Sequence, residues 1–218
     1  VDVDASGNSG GVTVETTAGV ATAVTGGDGD DDFTVDDGGE ITTASLGAGD
    51  DRVEINTFDA DDSVDGGDGE DILAITAADA GAVAAVTDVS NIEGLELTTQ
   101  LAADVDLTLF GLNLLILDAC ATTAGGELTL TLASGDTVEI RDDVVGANPL
   151  SLEIDGNNQS DSANLILADA GVDIADDLNG NGIEILNIES SGTAGPNSIT
   201  GTTMLVPSAG MPSGSLII

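Results

Sequence analysis

Three short segments, "GGDGDDDFT" from Gly26, "LGAGDDRVE" from Leu46 and "GGDGEDILA" from Gly66, begin 20 residues apart. Shifting the chain on itself by that interval aligns three apolar columns. They are Val24, Ala44 and Val64; Phe33, Val53 and Leu73; and Val35, Ile55 and Ile75. Residues two apart on a strand share a face, so each copy presents its apolar side chains in one direction. The repeat predicts a parallel solenoid over residues 21–76, in which each coil lays its inward side chains on those of the coil before it. Parallel strands stack about 4.8 Å apart, and each frame supplies one coil of two strands and two turns.

The rest of the chain carries the same kind of pattern less regularly. Short period-2 runs recur, at 12–14, 33–35, 53–55, 73–75, 95–97, 107–109, 128–132, 138–140, 150–154, 165–167 and 183–188, and Gly, Asp and Asn bound them. Helical periodicity is nearly absent. Apolar residues make up 41% of the chain, enough for a core, but only Phe33, Phe58 and Phe110 are aromatic. Small aliphatics suit a thin, stacked core. The predicted fold is all-β: a parallel β-solenoid with Gly-Asp loops near its N-terminal end, continuing into a less regular β-solenoid or β-strand-repeat region. Residues 1–20 read as a degenerate first coil. There "ASGNSGGVTV" (5–14) follows the loop-and-strand pattern at an offset of 21, with Gly10 in place of the loop Asp. Residues 21–76 form the regular solenoid, 77–204 the irregular region and 205–218 a linker or arm. "AADAGAVAAV" (77–86) reads as a short helix or a loosened coil.

A second signature, Ile-Glu-x-Leu-x-[Leu/Ile], starts at Ile92 in "NIEGLEL" and at Ile183 in "GIEILNI". It suggests a larger repeat built from several strands.

The charge limits function. Forty-one acidic residues face two basic ones, Arg52 and Arg141, with no Lys or His, for a net charge of −39. Such a chain repels itself unless salt or divalent cations gather around it. Nothing in it can neutralise phosphates, which excludes nucleic acid and an anionic membrane surface as partners. No run of eighteen apolar residues is present, so no transmembrane segment is expected. Without His or Lys, and with the single Cys120 in the apolar run "LLILDACAT", there is no nucleophile–base pair, and Cys120 reads as a buried, inert thiol. The chain is expected not to be an enzyme.

The Gly-Asp loops follow Gly-Gly-x-Gly-x-Asp-x-U-x, where U is a large apolar residue, and only Leu46 departs from it. Glycine lets the backbone turn through positive φ and point carbonyls at one spot. Asp31, Asp51 and Asp71 would form a vertical column, with neighbours about 5 Å apart. At an effective dielectric near 20, two such charges repel by about 3 kcal/mol. A Ca²⁺ ion, which takes six to eight oxygens, turns that repulsion into shared ligation. Three loops offer two sandwiched sites, and an end of the column is a candidate for a third. Among the other acids, Asp28, Asp30 and Asp32 read as solvated, and Asp61 and Asp62 on the opposite turn stand as candidates for a further ion.

These loops resemble the RTX repeats of proteins exported by bacterial type I secretion. Together with "VSNIEGLEL" and "GIEILNIESSGTAGPNSITG", the chain resembles the RTX-type bacterial S-layer and β-strand-repeat surface proteins. The resemblance implies calcium ligation by Asp31, Asp51 and Asp71, with backbone oxygens near Gly27, Gly29, Gly47, Gly49, Gly67 and Gly69; the geometry at Leu46 is open. It also implies a secreted, extracellular, calcium-dependent structural protein that assembles with copies of itself at the cell surface. Cell-surface polysaccharide would be met through other parts of a parent protein. The alternative is a repeat or spacer module of a secreted adhesin or exoenzyme.

Overall fold

The computed structural model describes residues 1–17, 19–82, 88–119, 128–144, 149–154, 160–168, 171–174, 177–190, 197–199, 203–206 and 215–217. The chain divides into two compact units, Val1–Glu96 and Leu97–Ile218. Each is a parallel β-solenoid.

The first unit alternates between two sheets. One contains β1 (Asp2–Asp4), β3 (Thr22–Thr25), β5 (Thr42–Ala48), β7 (Ser63–Asp68) and β9 (Val89–Ser90). The other contains β2 (Thr13–Thr16), β4 (Asp32–Val35), β6 (Arg52–Ile55), β8 (Ile72–Ile75) and β10 (Gly94–Leu97). Successive strands therefore lie on opposite sides of a thin core, and each coil has two strands and two turns, as the 20-residue period predicts. Val24 pairs with Ala44 and Ala44 with Val64; Phe33 pairs with Val53 and Val53 with Leu73. All nine residues of the three columns are buried.

The first coil has a different offset from the one read in the sequence. Asp4 lies opposite Thr25, a step of 21, but Val14 lies opposite Phe33, a step of 19. Residues 5–12 join its two strands where residues 26–31 join those of the next coil. The longer loop absorbs the mismatch, so Val14, and not Val12, continues the Phe33 column.

After β8 the chain forms a short helix, α1 (Ala77–Ala82). The Asp79 N–H donates to Thr76 Oγ1, and the Thr76 hydroxyl donates to Asp79 Oδ2. This cap satisfies one of the backbone donors that the first helical turn leaves open.

The second unit winds with longer, unequal steps. One sheet runs β11 (Val105–Asp106), β13 (Leu128–Leu132), β15 (Leu150–Ile154), β18 (Leu178–Asn181) and β21 (Thr203–Val206). Another holds β12 (Leu114–Leu117), β14 (Thr137–Ile140), β16 (Ser162–Leu167), β19 (Ile185–Ser190) and β22 (Ser215–Ile217). A two-stranded sheet of β17 (Asp173–Ile174) and β20 (Ser198–Ile199) adds a third side. Leu130, Leu152, Val138, Leu165 and Leu186 fill the core. Residues 107–109, an alternating run in the sequence, form a 3₁₀ turn instead of a strand. Asp106 caps it by accepting the Thr108 N–H, and such local side-chain bonding competes with a strand ladder. Among the described residues, no helix is long and apolar enough to cross a membrane.

Candidate functional site

The loops that link β3 to β4, β5 to β6 and β7 to β8 stack directly on one another. Their last residues, Asp31, Asp51 and Asp71, are 2%, 1% and 0% exposed. Each carboxylate reaches back one coil. The Asp31 N–H donates to Asp51 Oδ1 at 2.7 Å, and the Asp51 N–H to Asp71 Oδ1 at 2.8 Å. At the near end, Asp31 Oδ1 accepts the Val12 N–H at 2.8 Å. The structure thus brings the three predicted aspartates into one column.

The second oxygens differ. Asp31 Oδ2 accepts the Gly27 N–H of its own loop at 2.9 Å. Asp51 Oδ2 and Asp71 Oδ2 are buried with no hydrogen-bond partner. The glycines account for the contrast. Gly47, Gly49, Gly67 and Gly69 have φ of 112°, 126°, 104° and 153°, whereas Gly27 and Gly29 do not enter the positive-φ region. β5 and β7 also run on into their loops, pairing Gly47 with Gly67 and Ala48 with Asp68. The glycine columns leave no room for side chains. A Cβ on Gly67 would lie 2.0 Å from the Gly47 carbonyl oxygen, and one on Gly69 1.8 Å from that of Gly49. The Gly27 carbonyl accepts the Ala48 N–H at 2.9 Å. Leu46, at the position held by Gly26 and Gly66, turns its side chain into the core and is fully buried.

Buried charge without donors shifts titration. Burial pushes the Asp51 carboxyl up to about 6; the Asp31 N–H opposes this, and the charges of Asp71, Asp31 and Asp30 add to it. Asp71 rises for the same first reason, with Glu93, Asp50 and Asp65 adding to it and the Asp51 N–H opposing. Two stacked carboxylates, each with an unanswered oxygen, are a hard, oxygen-only donor set that could take part in holding a divalent cation. Among the described residues, no three acidic side chains converge on one point. Ligation would therefore draw on backbone oxygens as well.

A second ladder, missed in the sequence, runs along the loop crest. Asp30 Oδ1 accepts the Asp50 N–H and Asp50 Oδ1 the Glu70 N–H, each at 3.0 Å. These exposed acids reach forward where the buried ones reach back. Asp32 faces Arg52, 3.4 Å away.

The opposite turns are satisfied by protein. Asp62 accepts the Thr42 N–H at 2.7 Å and the Asp59 N–H at 2.9 Å, one on each oxygen. The buried Asp37 accepts the Thr42 hydroxyl at 2.9 Å and the Gly39 N–H at 3.2 Å. Asp61 is exposed. This geometry gives Asp62 a turn-capping role.

The second signature places a further carboxylate in the column. Glu93 Oε2 accepts the Asp71 N–H at 2.8 Å, while the Glu93 and Gly94 N–H groups donate to the Asp71 carbonyl. In the second unit Glu184 makes the same contacts with Asp161. The Ile-Glu pair common to both signatures was the available signal. Cys120 lies outside the described residues. Comparison of the chain with protein-family models, curated proteins and solved structures finds no match.

Proposed function

We propose that this chain is a calcium-dependent structural protein of the cell surface, a self-assembling subunit of an extracellular lattice, sheath or filament. The observation that carries the reading is the pair of buried, unanswered oxygens Asp51 Oδ2 and Asp71 Oδ2 in adjacent coils. In a chain of net charge −39 with two basic residues, the protein has little of its own with which to neutralise them. Asp51 and Asp71, with Asp31 at the end of the column and the carbonyls of the glycine loops, would hold Ca²⁺. The ion would supply positive charge for these oxygens to coordinate, where the fold otherwise leaves repulsion. Metal binding then contributes directly to folding free energy. Calcium is scarce inside cells and plentiful outside, which favours folding after export. Regular solenoids assemble readily because their terminal strands leave backbone groups open.

The test is a calcium titration of the purified chain, followed by circular dichroism and negative-stain electron microscopy. The expected result is β-structure that grows with calcium, is weakened in EDTA and precedes ordered arrays. Folding without arrays would point to a spacer module of a larger secreted protein. A chain equally folded in EDTA would overturn the coupling of metal to fold.

A further inference from the structure

We propose that the cation-binding column extends one coil past the Gly-Asp loops, with Glu93 and Asp71 sharing a divalent cation; this rests on the reading that the column holds calcium. The ladder does not stop at the last repeat. The Asp71 N–H meets Glu93 at 2.8 Å just as the Asp31 and Asp51 N–H groups meet the next aspartate at 2.7 and 2.8 Å. Asp71 is fully buried, and its Oδ2 has no partner.

The backbone explains why a glutamate stands there. A Cβ on Gly66 would lie 1.8 Å from the Asn91 carbonyl oxygen, as one on Gly26 would lie 1.8 Å from that of Leu46. Asn91 therefore takes the place over Gly66 that Leu46 takes over Gly26. From there the chain reaches the carboxylate position through Ile92 alone, where a Gly-Asp loop uses four residues. Asn91 makes this shortcut with φ of 51°, the one positive φ of a non-glycine among the described residues, and Asn tolerates that region. The shorter turn lays the Glu93 and Gly94 N–H groups on the Asp71 carbonyl, and the longer Glu side chain reaches on to the Asp71 N–H. Gly182-Ile183-Glu184 repeats the device under Asp161, with Gly182 at φ 70°. Glu93 is thus built into the column, bonded to the backbone of a residue whose second carboxylate oxygen no protein group answers.

Calcium binding by isothermal titration calorimetry on the full chain and on Glu93→Gln tests this. Gln can still accept the Asp71 N–H, so the hydrogen bond survives and only the charge is lost. The expected result is one fewer ion, or one class of sites weakened at least tenfold, with an unchanged circular dichroism spectrum at saturating calcium. Wild-type stoichiometry and affinities in Glu93→Gln would overturn the proposal and leave Glu93 a backbone acceptor. A wild-type chain that binds no calcium would instead remove the reading beneath it. A second measurement needs no variant: the Glu93 carboxyl carbon resonance of the wild-type chain should move with that of Asp71 as calcium is added. A Glu93 resonance that stays put would also overturn the proposal.

Discussion

Arg52 on β6 reaches Glu96 on β10, its guanidinium nitrogens 2.7 and 3.2 Å from the two carboxylate oxygens. The strand between them, β8, carries Ala74 opposite Glu54, fully buried and small enough to lie beneath the pair. Glu54 and Asp32 also touch Arg52, at 3.0 and 3.4 Å. Burial works against the Arg52 charge, but Glu96 and Glu54 outweigh it and hold its pKa above the usual value. One cation thereby ties three acids on one sheet face. Glu96→Gln should lower stability by about 1–2 kcal/mol, between an exposed pair and a buried one. Ala74→Leu should cost a similar amount by displacing the guanidinium. Urea denaturation at saturating calcium measures both; no change in either variant would show that the cluster is idle.

The Asp51 carboxylate has one oxygen that the fold uses and one that it does not. Asp51→Asn keeps an acceptor for the Asp31 N–H and removes the buried charge. The expected outcome is a split: stability in EDTA equal to or above wild type, and calcium affinity reduced at least tenfold. Asp51→Ala loses the acceptor too and should be less stable than Asp51→Asn by about 1–3 kcal/mol, the cost of an unpaired buried N–H. Paired denaturation and calcium-binding curves separate the two effects.

Protons should compete with calcium for this column. Asp51, Asp62, Asp71 and Asp136 all have folded-state pKa values raised first by burial. A raised carboxyl binds its proton more tightly folded than unfolded, so stability falls as pH rises between the two values. For Asp51 that window runs from the ordinary 3.8 to about 6. In EDTA, the denaturation midpoint should drop between about pH 4 and pH 6 and then level off. Saturating calcium should flatten or reverse the trend. A midpoint that climbs over this window in EDTA would contradict the burial of these groups.

The glycine columns predict a sharp positional contrast. Gly67→Ala puts a side chain at φ 104° and 2.0 Å from a backbone oxygen, and should destabilise the first unit by about 2 kcal/mol or more. Gly10→Ala meets nothing within 4 Å, and should stay within about 0.5 kcal/mol of wild type. Thermal melts of the two variants side by side check this.

Much of the first unit was legible in the sequence because one constraint repeats in phase. A 20-residue step fixes register, and register fixes which side chains stack. The loop column was equally legible, since Asp31, Asp51 and Asp71 occupy one place in that step. The first coil was harder: a loop two residues longer moved Val14 into the place given to Val12. Residues 107–109 alternate like a strand, but a single Asp106 side chain tips them into a 3₁₀ turn. Glu93 was hidden because it belongs to no Gly-Asp loop; its role depends on a turn whose length only the backbone reveals. The split between Asp31 and its two successors was also invisible, because it follows from how the glycine peptides are rotated and not from which residues are present.

The constant step of the first unit makes the coil a unit of length as well as of structure. Ala44 lies between Val24 and Val64, and Val53 between Phe33 and Leu73. An in-frame loss of residues 41–60 would set Val64 on Val24 and Leu73 on Phe33, with each aspartate still over another. The first unit would shorten by one strand spacing, about 4.8 Å, and keep its two-sheet section. Tandem duplication would lengthen it by the same increment. A lineage carrying such a segment can therefore tune its reach in whole steps by recombination between repeats, without designing a new core each time.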